Sequence, residues 1–238
     1  MSALSLCPAS PPTFWLLTTN PAFMETYFEE GVVGRARRLG LIRVFPLDLR
    51  RFAEDRHRKV DDQPYGGGPG MVLMVGPIYR AVEFVRSRVP RREELTVVLT
   101  DAGGESFDQG LAAQFSRPRH HTLIISGRYE GVDQRVADHL ADRLVRVGEA
   151  VLSSGDLPAL VMVDAAARLV AGVLGNPLSL AEETGGELVD YPVYTRPPEF
   201  RGWRVPEILL SGHHREIRRW RTEWRRHRPD PGEGRDTS

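Results

Sequence analysis

Two short apolar runs, Leu95 to Leu99 and Thr122 to Ile125, constrain the fold more than any other feature of the chain. Neither alternates with polar residues, which is the pattern of strands buried on both faces. Phe107 to Phe115 between them has helical spacing. Strand, helix, strand in that order is a βαβ unit, and it predicts a parallel sheet of the α/β class. Strands at Phe14 to Thr18, Leu41 to Phe45 and Arg143 to Val147 would extend the sheet. A helix is expected from Pro21 to Leu39, with Phe23, Tyr27 and Phe28 on one side and Gly40 as its stop. Another carries Ile78, Val82 and Val85. A third should start at Asp156 as cap, hold Pro158 in its first turn and end at Gly175-Asn176-Pro177. Ser211 is expected to cap a last helix in which Ile217, Trp220 and Trp224 share a face.

A length of 238 residues suffices for one large domain with a smaller appendage, and no segment recurs at a fixed period. Proline and small or polar residues mark residues 1–13 as a disordered leader and 229–238 as a disordered tail. Cys7 is the only cysteine, which excludes an intrachain disulfide and a cysteine zinc site and fits a reducing, cytoplasmic setting. The apolar stretch Phe14 to Leu17 is far too short to cross a bilayer, so a soluble chain without a membrane partner is expected.

The formal net charge is zero, yet charge is unevenly spread. Only Lys59 among the 32 basic residues is lysine, so the cations are planar guanidinium groups suited to phosphate and carboxylate. Nine basic residues against three acidic ones run from Arg35 to Lys59, and the same ratio holds from Arg201 to Arg228. These are two local basic tracts in a neutral protein.

Three segments carry more specific information. They are Val60-Asp-Asp-Gln-Pro-Tyr-Gly-Gly-Gly-Pro-Gly-Met71, Gly127-Arg-Tyr-Glu-Gly-Val-Asp-Gln-Arg-Val136, and Tyr194-Thr-Arg-Pro197 leading to Leu209-Leu-Ser-Gly212. Taken singly each is modest. The glycine loop could be a plain turn, and it lacks the Lys-Ser/Thr of a P-loop. The second segment could be a simple strand-to-helix turn with Glu130 and Arg135 paired on the surface. In order and spacing, however, the three resemble the bacterial tRNA (guanine-N1)-methyltransferases over roughly residues 14 to 228.

That resemblance implies a parallel sheet with a deep trefoil knot (SPOUT type) over residues 14–178, a flexible linker over 179–192 and a small helical substrate-binding domain over 193–228. It implies methyl transfer from S-adenosylmethionine to N1 of the guanine 3′ of the anticodon in tRNA, by a cytoplasmic homodimer. The implied cofactor residues are Leu99, Thr100, Gly127, Tyr129, Glu130, Gly131, Val147, Gly148, Leu152, Gly155 and Pro158. Asp61, Pro69 and Gly70 would border the target guanine, and Arg218, Arg219 and Arg221 would hold RNA phosphates. Guanine N1 keeps its proton at neutral pH, so the reaction needs a base and a donor for charge growing on O6. By position these are Glu183 and Arg168. The plain alternatives are a solvated linker acid and a helix-surface cation. Magnesium is implied by the family alone, and no motif supplies metal ligands.

The chain departs from the family pattern at several points. Glu183 stands where aspartate is usual, and a reach wrong by about 1 Å can cost on the order of 100-fold in rate. Asp101 replaces proline, Ala150 tyrosine, Ser154 glycine, and Asn20-Pro21 a Phe-Pro turn. These departures keep two rival readings open, a methyltransferase acting on a small heterocycle or peptide side chain, and a non-catalytic RNA- or S-adenosylmethionine-binding relative.

Overall fold

The computed structural model describes residues 10–174 and 191–226. The chain divides into two compact units, Met1–Gly175 and Asn176–Ser238.

The first unit runs β1 (Thr13–Thr18), α1 (Pro21–Glu29), α2 (Gly31–Arg38), β2 (Arg43–Asp48), β3 (Asp61–Asp62), β4 (Val72–Leu73), α3 (Val75–Arg86), β5 (Leu95–Ser106), α4 (Gln109–Phe115), β6 (His121–Ile125), α5 (Gln134–His139), β7 (Arg143–Arg146) and α6 (Asp156–Arg168). Five strands form one parallel sheet in the order β2-β1-β6-β5-β7, and β3 and β4 form a small antiparallel pair. The expected α/β class is the one found.

Alternation along the strands builds a core on each face of the sheet. Phe14, Leu16, Val98 and Ile124 point into a layer with α1, α2, α4 and α6. Trp15, Leu17, Val97, Leu99, Leu123 and Ile125 point the other way, into a layer with α3 and α5. Both faces are covered, which is why these strands read as unbroken apolar runs.

Four local expectations are corrected. The single helix from Pro21 to Leu39 is two helices, because Glu30 is extended and Gly31 turns left-handed at φ 64°. Gly34 makes the join tight, since a Cβ there would lie 2.5 Å from the Glu29 carbonyl group. β5 does not stop at Leu99. It breaks register with β7 after Thr100 and rejoins it at Glu105, with Gly104 so close to the Leu144 carbonyl that a Cβ would sit at 2.5 Å. α6 ends at Arg168 rather than near residue 175, in tightened turns around Gly172, whose φ is 86°; Asn176 and Pro177 lie outside the described residues. Asp156 is the first residue of α6 and Gly155 its cap, so the Asp156 side chain is free for another use.

The second unit holds a hairpin of β8 (Glu199–Phe200) and β9 (Trp203–Arg204), then α7 (Glu207–Leu210) and α8 (His214–Arg226). The hairpin was not expected. Ser211 closes α7 instead of capping α8, because Gly212 at φ 73° intervenes and the His213 carbonyl accepts the first amides of α8. Trp220 and Trp224 do share a face, with ring centroids 6.0 Å apart.

At the amino end of β6, His120 stacks on Phe115 with its Nε2 buried and without a partner among the described residues. Burial, and then the nearby His121 and Arg117, push its pKa down to about 4 from 6.5. The folded value lies below the unfolded one, so protons favour the unfolded chain. This contribution to stability is therefore complete above pH 6.5 and is lost as pH falls towards 4. His120→Gln is expected to flatten the decline of melting temperature across that window, and a decline parallel to the parent's would refute the assignment.

Candidate functional site

Three loops meet at the carboxyl ends of β5, β6 and β7, where parallel sheets place their ligands. Thr100 of β5 organises them. Its hydroxyl donates to the Ile125 carbonyl at 3.1 Å and accepts from the Gly127 amide at 3.0 Å. The Gly155 amide donates to the Gly127 carbonyl at 2.7 Å, and Arg128 bridges to Ser154. The approach is so close that a Cβ on Gly155 would fall 1.8 Å from Thr100 Oγ1 and 2.8 Å from the Gly127 amide nitrogen. Only glycine fits there.

The loops enclose a cleft of about 280 Å³. Thr100, Gly127, Tyr129, Glu130, Gly131, Val147, Leu152, Gly155 and Pro158 line it, as the resemblance leads one to expect of cofactor residues. Leu99 does not, because strand alternation turns it to the opposite face, where it is 3% exposed among core residues. Gly148 sits in a left-handed turn at φ 71° and is not among the lining residues. Arg128, Val145, Arg146 and Val151 line the cleft and had not been singled out. Arg128 was legible inside the Gly127 to Val136 motif, whereas only the fold brings Arg146 in.

The lining suits S-adenosylmethionine. Val145, Val147, Leu152 and Pro158 offer an apolar slot for a flat base, flanked by bare glycine backbone. Asp101 and Glu130 offer negative charge to a sulfonium. Arg128 and Arg146 offer cations to a carboxylate, and each has a buried Nε with no partner among the described residues.

The glycine-rich loop joins this site through hydrogen bonds from the Glu130 amide to the Met71 carbonyl, from Leu73 to Gly131, and from Asp133 back to Leu73. Gly66, Gly67, Gly68 and Gly70 all have positive φ. A Cβ on Gly70 would lie 2.4 Å from Glu130 Cγ, so the glutamate side chain lies on the glycine. Glu130 is thus not paired with Arg135. Arg135 instead grips Asp133 at 2.6 Å, and that hydrogen bond is the main reason the Asp133 pKa is lowered. Asp61 pairs with Leu73 in the β3–β4 ribbon, and Pro69 and Gly70 are exposed beside it. A groove of about 850 Å³ runs alongside, between Asp62 to Tyr65 and Val132 to Arg135.

Arg168 closes α6 ten residues after Pro158, which at 1.5 Å per residue is about 15 Å along the helix. It is half-buried and is not among the residues lining the cleft. Glu183 lies outside the described residues. In the second unit Arg218 and Arg221 line a cleft of about 790 Å³, with Arg221 4.5 Å above the Tyr191 ring. Arg219 is turned to Glu223 on the exposed side of α8. Among the described residues no group of three or more His, Cys, Asp or Glu could hold a metal ion, and no helix is long and apolar enough to cross a membrane.

Comparison with known proteins agrees with this geometry. The family model described as tRNA (Guanine-1)-methyltransferase TrmD matches residues 13–231. A tRNA (guanine-N(1)-)-methyltransferase of Methylacidiphilum infernorum is 46% identical over 207 residues, covering 87% of this chain and 88% of that protein. One from Anaeromyxobacter dehalogenans is 50% identical over 210 residues, covering 87% and 83%. The crystal structure of the tRNA (m1G37) methyltransferase from Aquifex aeolicus superposes with a TM-score of 0.75 at 41% identity, covering 91% of this chain and 90% of that one.

Gly155→Ala forces a methyl group into the Thr100 hydroxyl, an overpacking that costs about 1–3 kcal/mol. The expected result is a melting temperature lower by roughly 2–4 °C per kcal/mol together with weakened S-adenosylmethionine binding in calorimetric titration. Parental values for both would show that the three loops do not meet as described.

Proposed function

The chain belongs to the tRNA (guanine-1)-methyltransferase family, and we propose that it transfers a methyl group from S-adenosylmethionine to N1 of the guanine 3′ of the anticodon in tRNA. Its fold is the knotted α/β class of that family. The observation that carries the reading is the cleft between the Thr100, Gly127 and Gly155 loops, where most of the expected cofactor residues meet. The departures at Asp101, Ala150 and Ser154 fall on the wall of that cleft and leave its backbone frame intact. This favours the parent reaction over a reassigned acceptor or a non-catalytic role.

When bound, S-adenosylmethionine supplies an electrophilic methyl group on sulfur. The residues of the chain do the rest. Val145, Val147, Leu152 and Pro158 line the cleft and would hold the adenosine end, while the carboxylates of Asp101 and Glu130 would offset the positive charge on sulfur. Glu183 takes the N1 proton of guanine as its base. Arg168 faces O6, where the electron pair left by that proton spreads. The glycine loop, tied to Glu130, gives an extruded guanine a flat backbone surface. Arg218 and Arg221 of the second unit take RNA phosphates, while Arg219 is engaged with Glu223. Magnesium is suggested by the resemblance alone. A cytoplasmic site follows from a tRNA substrate.

The working unit in this reading is a homodimer. Arg168 stands about 15 Å along α6 from the cleft wall at Pro158, so it serves a partner's cleft rather than its own. Leu157, Val161, Asp164 and Arg168 follow one another at helical spacing on one stripe of α6. Leu157 is 48% and Val161 44% exposed, beside Phe23 and Tyr27 of α1, which are likewise exposed. The Tyr27 hydroxyl donates to Asp164 at 2.9 Å and joins the two helices into one face. An apolar face of this kind is what a two-fold interface covers.

Two measurements test the proposal. Labelled methyl groups should enter a tRNA transcript with guanine 3′ of the anticodon and not one with adenine there, and Glu183→Gln and Arg168→Ala should each lower kcat by roughly 100-fold or more. Equal incorporation into the adenine transcript would remove guanine as acceptor. Val161→Asp should shift sedimentation velocity from dimer to monomer and abolish turnover, and a monomeric parent would exclude the shared site.

A further inference from the structure

We propose that Asp156 is a positioning residue that sets the affinity of the cleft for S-adenosylmethionine by locking the loop after β6 and the loop before α6 to the end of β1, an inference that rests on the reading of the cleft as the methyl-donor site. Among the described residues Asp156 is the one charged side chain that is fully buried, at 2% exposure. A buried carboxylate is unfavourable unless it is paired and hydrogen-bonded. It has no place in the chemistry assigned to Glu183 and Arg168.

Its partners come from two distant stretches of chain and from the loop just before it. Asp156 Oδ1 accepts from the Thr18 hydroxyl at 2.8 Å, and that hydroxyl accepts in turn from the Asn20 amide at 2.9 Å. Asp156 Oδ2 faces a terminal nitrogen of Arg128 at 3.7 Å. Arg128 bridges to Ser154, whose hydroxyl accepts from the Asp156 amide at 3.3 Å. The carboxylate therefore joins the carboxyl end of β1, the loop after β6 and the loop before α6. The two residues that flank it, Gly155 and Leu157, lie beside the Gly127 crossing and on the exposed stripe of α6. Being first in a 13-residue helix also favours its negative charge.

Geometry dictates the consequence. Arg128 is a wall residue of the cleft, and its backbone is adjacent to Gly127 on the floor. Removing the charge at Asp156 frees Arg128 to swing and lets the Gly127 and Gly155 loops part, without touching the base or the charge-stabilising arginine. The loss should then appear in binding of the donor and not in the chemical step.

Asp156→Asn keeps an acceptor for Thr18 and removes the charge that faces Arg128. Thr18→Val keeps the charge and removes the hydroxyl. With the full-length chain, calorimetric titration with S-adenosylmethionine is expected to give a Kd raised about 10-fold for Asp156→Asn and about 3-fold for Thr18→Val. Steady-state kinetics should show KM for S-adenosylmethionine rising in step, with kcat at saturation and KM for tRNA within twofold of the parent. A Kd within twofold of the parent in both variants overturns the proposal. So does a fall in melting temperature with equal losses in kcat and in both KM values, since that is general loosening. If the parent itself fails to bind S-adenosylmethionine, the reading of the cleft falls before this inference is reached.

Discussion

The Thr100 hydroxyl is the point on which the rest of the site depends. It stands between two strand ends, donating to one and accepting from the loop that leaves it, while the Gly155 backbone passes at a distance no side chain could tolerate. Buried polar groups bonded on both sides fix geometry well, because neither bond can be exchanged for water without moving a strand. The cleft is therefore formed before any ligand arrives. The same loop continues to Glu130 and Val132, whose backbones pair with Met71 and Leu73, so the glycine-rich loop belongs to the same hydrogen-bonded frame. In the proposed reaction a cofactor wall and a surface for a base would be one piece of backbone.

How much of this could be read from the residues depended on the range of the interaction. β1 and β6 were legible because a strand covered on both faces has no polar alternation to hide it, and Phe14 and Trp15 do go to opposite layers. The break at Glu30 was not, because helical spacing runs on through it and the cause is the close approach allowed by Gly34. The continuation of β5 to Ser106 was hidden for a similar reason, since Gly104 matters only against the Leu144 backbone. Within the cleft, the Gly127 to Val136 motif marked its own residues. Arg146, which donates to the Gly104 carbonyl, and the bond from Thr18 to Asp156 are set by tertiary pairing, and no local pattern announces them.

Charge behaves in the same way. The basic tract from Arg35 to Lys59 suggests a nucleic-acid surface, yet much of it is structural. Arg35 donates to the Val173 carbonyl, Arg38 to that of Glu29 and Arg50 to that of Thr19, while Arg37 pairs with Glu25 and Lys59 with Asp62. Exposed pairs of this kind contribute little to stability. They do engage these cations with groups of the same chain. In the second unit Arg218 and Arg221 instead line a cleft, with Tyr191 beneath Arg221. The proposed grip on RNA would then rest on few cations, because the fold ties down many of the others.

The length of α6 is what makes the proposed site a shared one. The helix starts at the cleft with Asp156 and Pro158 and ends about 20 Å away at Arg168, and a helix of 13 residues does not bend back on itself. Any chemistry that uses both ends needs a second copy whose α6 presents its far end to the first. In the proposed homodimer a two-fold axis through the exposed Leu157 and Val161 stripe would do this with a single surface, burying on each side apolar groups that are exposed in the single chain. In that proposed dimer the cofactor-holding start of α6 and the charge-stabilising Arg168 at its end are separated along one rigid element, and association would bring the end of one copy to the start of the other.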